Sequence, residues 1–129
     1  MIRAGTAALA AWGMVAAAAP ALAQTGWGII GAGVADPQAT AGTIAPRTTD
    51  PVREFMFCVE DAAVRFRSVT IRFADGAPQQ VGFRDRLAAG RCGRALGVQA
   101  RGRAIAGIDF TYDPAVLAGN SARVQAFGR

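Results

Sequence analysis

Residues 64–81 read VRFRSVTIRFADGAPQQV, and the alternation along this stretch decides the fold. Successive side chains of a strand point to opposite faces, so buried positions recur every second residue. Val64 and Phe66 share one parity, whereas Val69, Ile71 and Phe73 share the other. The switch around Arg67-Ser68 predicts a bulge or a break in the strand. Asp75-Gly76 marks a turn. A two-residue Asp-Gly loop would set Ile71 opposite Gln80 and carry Val81 to the wrong face. A three-residue loop, Ala74-Asp75-Gly76, sets Val69 opposite Val81 and Ile71 opposite Gln79. It also gives Gly76 the left-handed position of a type I turn plus bulge. The three-residue loop is therefore expected, with a return strand over Pro78 to Arg84.

Upstream, Arg53 to Glu60 carries Phe55, Phe57 and Val59 on one face and Met56 and Cys58 on the other. Apolar side chains on both faces mark a central strand between two layers. Trp27-Gly28-Ile29-Ile30-Gly31 forms an earlier apolar segment within Gln24 to Val34. Asp36 to Pro51 is rich in Pro, Thr, Ala and Gly. Pro37, Pro46 and Pro51 exclude a helix there, which leaves an extended loop or a weak edge strand. Downstream, Leu87 to Gly90 reads as a turn or a short helical turn. Cys92 to Gln99 follows with Leu96 and Val98 on one face, and Arg101-Gly102-Arg103 is a polar turn. Ala104 to Tyr112 alternates through Ile108, Phe110 and Tyr112. Asp113-Pro114 opens a loop closing near Asn120, and Val124 to Gly128 is the last strand. The expected fold is all-β, a small antiparallel β-sandwich of six to seven short strands. Residues 24–52 supply an N-terminal strand and loop, and residues 53–129 the body of one domain.

The first 23 residues have a different character. Arg3 is the only charge before Asp36, Ala4 to Ala19 is apolar, and Pro20 precedes Ala21-Leu22-Ala23. A basic start, an apolar run and an A-x-A site make a signal peptide, with cleavage expected after Ala23. The run is shorter than the roughly 20 residues of a membrane span and consists mostly of weakly apolar Ala. Removal leaves residues 24–129 with a charge of +4, in the periplasm or outside a bacterial cell. Cys58 and Cys92 then meet an oxidising compartment, which favours a disulfide between them. A loop of this size contributes roughly 3.7 kcal/mol in the chain-entropy model, a model-dependent figure.

Composition removes several chemistries. The chain of 129 residues carries a formal charge of +5, and its 14 basic residues are all Arg. Without His there is no His-based triad and no His metal ligand. Without Lys there is no P-loop and no Schiff base.

The stretch after the leader resembles a family of small exported bacterial β-sandwich proteins known only as a domain of unknown function. The matching pieces are Trp27 to Gly31, Phe55 to Val59, and Val69 to Phe73 running into Asp75-Gly76. They continue with the Ala89-Gly90 turn, Arg103 to Ile108, Phe110 to Tyr112 and the closing Val124 to Arg129. The resemblance covers nearly all of residues 24–129. It departs over Asp36 to Thr49, where the family tends to have a clearer strand. The resemblance carries no activity, so no site residue transfers from it.

Each motif has a plainer alternative. Gly31-Ala32-Gly33 after two isoleucines looks like a dinucleotide-binding loop, yet no βαβ unit follows and Pro37 interrupts. A Gly-rich strand end is expected instead. Glu60-Asp61, the one adjacent carboxylate pair, reads as a turn, as do Asp75 and Asp113. Asp109 is expected to face solvent. No D-x-D-x-D-G loop supports calcium, and neither a cofactor nor a metal is expected. Trp27 and Tyr112 fit core packing better than a sugar-stacking platform. The arginines carry the functional lead. Arg65, Arg67, Arg72, Arg84 and Arg86 lie on or near consecutive strands, where guanidiniums could hold carboxylate, sulfate or phosphate groups bidentately. Solvated surface charge that protects sheet edges is the competing reading.

The expected function is a non-catalytic binding or structural module of the cell envelope, contacting an anionic glycan, a lipid headgroup or an envelope protein. Specific nucleic-acid recognition is disfavoured by export and the absence of a reader motif. Two other classes stay open, a carboxylate-based hydrolase and an interaction or inhibitor module that pairs through a strand edge. Non-reducing mass spectrometry of the exported protein should show a chain beginning at Gln24 with no free thiol; two free thiols would overturn the bonded pair.

Overall fold

In a computed structural model, residues 26–99 and 103–129 are described. The leader with its cleavage site, Gln24 and Thr25, and Arg101-Gly102 of the expected polar turn lie outside them. The strands are β1 (Gly28–Ala35), β2 (Ala41–Pro46), β3 (Glu54–Glu60), β4 (Val64–Phe73) and β5 (Gln79–Val81). They continue with β6 (Arg86–Leu87), β7 (Leu96–Gly97), β8 (Ile105–Tyr112) and β9 (Ala122–Gly128). A short 3₁₀ helix, Pro114–Leu117, begins at Asp113, whose carboxylate accepts from the Ala115 N–H. Among the described residues no helix is long and apolar enough to cross a membrane.

The hairpin forms with the expected register. Val69 faces Val81, Ile71 faces Gln79, and Gly76 adopts φ +83°. On its other side β4 pairs with β8, and the ladder slips between Phe66 and Ser68. That slip is the bulge required by the parity switch. It lets Val64 and Phe66 point inward with Val69, Ile71 and Phe73.

All pairings are antiparallel, and the sheet runs β5-β4-β8-β2-β1-β9-β3-β7, with β6 also on β4. The fold is thus all-β with a two-faced core, and a single sheet of nine strands supplies both faces by curling nearly into a barrel. Bulges in β1 and β4 help it curl, because an extra residue sharpens the local twist. One segment closes the seam. β6 pairs with β4, and a few residues later Gly90 and Gly93 donate to Val59 and Phe57 carbonyls of β3. β7 then continues along β3 at Phe55. The Gln79 side chain of β5 donates to the Gly97 carbonyl at 3.1 Å and accepts from the Gln99 N–H at 2.8 Å.

The strand count exceeds the expected six to seven because β2 and β6 add to the expected strands, while two of those are shorter than expected. The return strand over Pro78 to Arg84 pairs only at Gln79–Val81, and Cys92 to Gln99 pairs as a bridge and the short β7. β2 was expected as a loop or a weak edge. It is a central strand between β1 and β8, and its Pro46 sits at the strand end, where a missing N–H is tolerated. Ile44 is its single buried large side chain, so its pattern is faint. The Gly31-Ala32-Gly33 run lies within β1 and packs against β2. A Cβ on Gly33 would stand 2.5 Å from the Thr43 carbonyl oxygen. These glycines permit close strand approach, so the dinucleotide-loop alternative has no place in this architecture.

Aromatic rings fill the interior. Phe57 stacks on Phe66 with centroids 4.9 Å apart, meets Phe55 edge-on at 5.4 Å and contacts Phe83 at 5.7 Å. Phe66 also meets Phe110 at 5.8 Å. On the outer side of β3, Met56 and Cys58 join Trp27 and Phe127 in a second, smaller cluster, which explains why β3 is apolar on both faces. Cys58 and Cys92 are bonded and lie directly opposite one another across the seam. Phe57→Ala should cost about 3–5 kcal/mol in urea unfolding, because it opens a cavity where several rings meet. A loss under about 1 kcal/mol would show that the ring cluster is not a close-packed unit.

Candidate functional site

The basic face is built from β4 outward. Its inward residues before the bulge are Val64 and Phe66, so Arg65 and Arg67 point out. On the return segment Phe83 and Leu87 are buried, and Arg84 and Arg86 are exposed. Arg65 and Arg86 are direct partners in the β4–β6 register. The Phe66 N–H donates to the Asp85 carbonyl at 3.0 Å, which carries the same register one pair further. Arg67 is exposed two residues further along β4, and Arg84 is exposed on the irregular segment before β6. The result is a block of four exposed arginines, with Arg65 and Arg86 about 5 Å apart across strands and Arg67 and Arg84 beside them along the chain.

The bulge creates this block. In the hairpin, residues of odd number point inward on both β4 and β5. Without the switch at Arg67-Ser68 that alternation would turn Arg65 and Arg67 into the core. With it, they join Arg84 and Arg86 on the surface. Like charges placed directly opposite on neighbouring strands are destabilising. Among the described residues no carboxylate lies within ion-pair distance of Arg65, Arg84 or Arg86. Arg67 alone has one, the Asp113 carboxylate at 3.5 Å. Asp85, between Arg84 and Arg86, is engaged by Arg94 at 3.4 Å.

Arg72 stands apart from the other candidate arginines. It is outward, as expected, but its Nε and Nη2 donate to both oxygens of Asp109, at 2.7 and 3.2 Å. Asp109 also accepts from the Thr43 hydroxyl at 2.8 Å. The hydrogen bond from Arg72 is the main reason the Asp109 carboxyl is held below its ordinary range, partial burial opposes it, and the Thr43 bond assists. The same bond raises the Arg72 guanidinium. Sequence reasoning placed Arg72 and Asp109 outward but could not pair them, since β8 follows β4 only after a long excursion.

The remaining candidates have structural partners. Tyr112 is buried, and its hydroxyl donates to the Asp36 carbonyl and accepts from the Asp36 N–H. Burial raises its pKa. Trp27 belongs to the outer cluster, with the Arg129 guanidinium 4.4 Å above its ring. Asp61 turns the chain at φ +77° and lines a shallow groove with Val34, Ser121 and Arg123. Glu60 borders a small cleft beside the disulfide. Each of these two depressions holds a single carboxylate. Among the described residues no group of three His, Cys, Asp or Glu side chains is placed to hold a metal ion. The terminal strands β5 and β7 are three and two residues long, and the Gln79 side chain bridges them.

The geometry defines a small disulfide-bonded antiparallel β-sheet nearly closed into a barrel, with a basic block on one outer face. The model of the family described as a domain of unknown function (DUF2541) matches residues 7–128, and the chain belongs to that family. No curated protein and no solved structure matches it.

The lowered Asp109 carboxyl has a consequence for acid stability. A carboxylate whose folded pKa lies below its unfolded value stabilises the fold above the unfolded value, near 3.9. That contribution fades as pH falls through the folded value. Asp109→Asn should therefore be less stable than the parent by a constant margin from pH 8 to about 5, and the margin should shrink toward pH 2. Urea midpoints across that range test this; a margin that persists undiminished at pH 2 would remove the ionic contribution.

Proposed function

We propose that this protein is an exported, non-catalytic module of the bacterial cell envelope that binds anionic groups through Arg65, Arg67, Arg84 and Arg86. The observation that carries the reading is the cross-strand Arg65–Arg86 pair with Arg67 and Arg84 exposed beside it, of which Arg65, Arg84 and Arg86 have no carboxylate partner among the described residues. Folding sets Arg65 against Arg86 at an electrostatic cost, and an anion shared between them would reverse its sign. Guanidiniums suit that role because each presents a planar fork of donors to carboxylate, sulfate or phosphate. Arg72 lies outside the proposed site because its charge is already paired with the Asp109 carboxylate, which its Nε and Nη2 hold.

Export is supported by the leader with Arg3 and Ala21-Leu22-Ala23 and by the bonded cysteines. The proposed destination is the periplasm or the cell exterior, after cleavage behind Ala23. The absence of His and Lys, and clefts that hold one carboxylate each, favour binding over catalysis.

An array of acidic glycans and anionic lipids, read at two salt concentrations, tests the reading. Binding should weaken about fivefold or more between 50 and 300 mM salt, since exposed charges are screened over a shorter distance at the higher value. Arg65→Glu with Arg86→Glu should abolish it, while Arg47→Gln at the far end of β2 should leave it intact. Binding that ignores salt, or survives the double charge reversal, contradicts the proposal.

A further inference from the structure

The arginine block does not end in empty surface. Directly beyond Arg67 on β4, the outer face continues through Ser68 and Thr70 to Arg72. Ser68 shares a hydrogen bond of 2.6 Å with Thr111 of β8, and Thr70 donates to Gln80 of β5 at 3.1 Å. The outer surface of β4 is thus a continuous lane, with the arginine block at one end, hydroxyl and amide groups along its middle, and the Arg72–Asp109 ion pair at the other end. From Arg65 to Arg72 it covers roughly 23 Å at the rise of an extended strand, several sugar rings in length.

Two features separate this lane from a lipid-binding surface. A protein that seats on a bilayer commonly inserts apolar side chains among the headgroups. Among the described residues Val34 is the one large apolar side chain that is strongly exposed, and it sits on β1, away from the lane. The groups that extend the arginine block are instead hydroxyls and an amide, which offer both donors and acceptors. That combination complements a chain bearing anionic groups and many hydroxyls of its own.

We infer that the ligand is an acidic oligosaccharide lying along β4, with its anionic groups on Arg65, Arg67, Arg84 and Arg86 and its hydroxyls over Ser68, Thr70 and Gln80. This rests on the anion-binding reading above and narrows it to one class of ligand. Asp113 fits the same scheme. It already presents a carboxylate to Arg67, so it acts as a built-in occupant of one corner of the block. An incoming anion competes with it there.

The test measures affinity of the exported, disulfide-bonded protein for four probes by titration calorimetry or sedimentation. They are galacturonate oligomers (carboxylate), heparin oligomers (sulfate), inorganic phosphate and phosphatidylglycerol vesicles. Affinity for at least one oligosaccharide series should rise about tenfold or more from the disaccharide to the octasaccharide, because successive contacts become intramolecular. Arg65→Gln with Arg86→Gln should remove this binding. Asp113→Asn should strengthen it by freeing Arg67. Ser68→Ala with Thr70→Val should weaken oligosaccharide binding several-fold and leave phosphate binding unchanged, with a thermal melt confirming that the variant folds. Arginine-dependent binding to phosphate or vesicles without any chain-length dependence on the sugars would overturn the oligosaccharide and leave the anion-binding reading standing. The absence of salt-sensitive binding to every probe would overturn both.

Discussion

One constraint organises this molecule: β4 must bury Val64 and Phe66 before its midpoint and Val69, Ile71 and Phe73 after it. A regular strand cannot do so, because these residues have opposite parity. The extra residue at Arg67-Ser68 resolves the conflict and bends the strand. Three properties follow from it. The sheet coils toward closure, Phe66 reaches the ring cluster around Phe57, and the flanking arginines turn outward.

Closure then solves a second problem. A sheet of this length has two edges that could pair with other chains. Here both terminal strands are very short, and the segment from Arg86 to Gly97 leaves β4 at one side and reaches β3 at the other. Three devices hold that segment. They are backbone hydrogen bonds to Phe57 and Val59, the Cys58–Cys92 bond, and the Gln79 side chain joined to Gly97 and Gln99. The disulfide thus links that segment to the strand at the centre of the aromatic core.

The arginines divide into two populations. Arg72, Arg94, Arg103 and Arg129 each meet a carboxylate and also lie over a ring or reach a second acceptor atom, so they serve as surface ties. Exposed pairs of this kind contribute little stability individually. Arg65, Arg84 and Arg86, like Arg47, Arg53, Arg91 and Arg123, have no such partner among the described residues, and Arg67 has only Asp113 at 3.5 Å. An all-Arg composition, which first serves to exclude Lys and His chemistry, therefore resolves into neutralised and uncompensated charge.

The sequence by itself determined the all-β class, the three-residue hairpin and its register, the bulge at Arg67-Ser68, the buried faces of β3 and β8, and the cysteine pairing. Each of these follows from local parity, turn chemistry or simple counting, which neighbouring residues suffice to specify. Only the tertiary structure decided that one curled sheet supplies both core faces and that the Gly- and Pro-bearing β2 lies at its centre. The glycines of β1 and β2 signal a close approach, but not which strands approach. The same holds for the site. Parity could turn Arg65, Arg67, Arg84 and Arg86 outward, yet Arg65 faces Arg86 only because the return segment pairs with β4 again beyond Phe83. Arg72 was likewise indistinguishable in sequence from the other four. Its neutralisation by Asp109, 37 residues away, is a product of strand order, which no local pattern encodes.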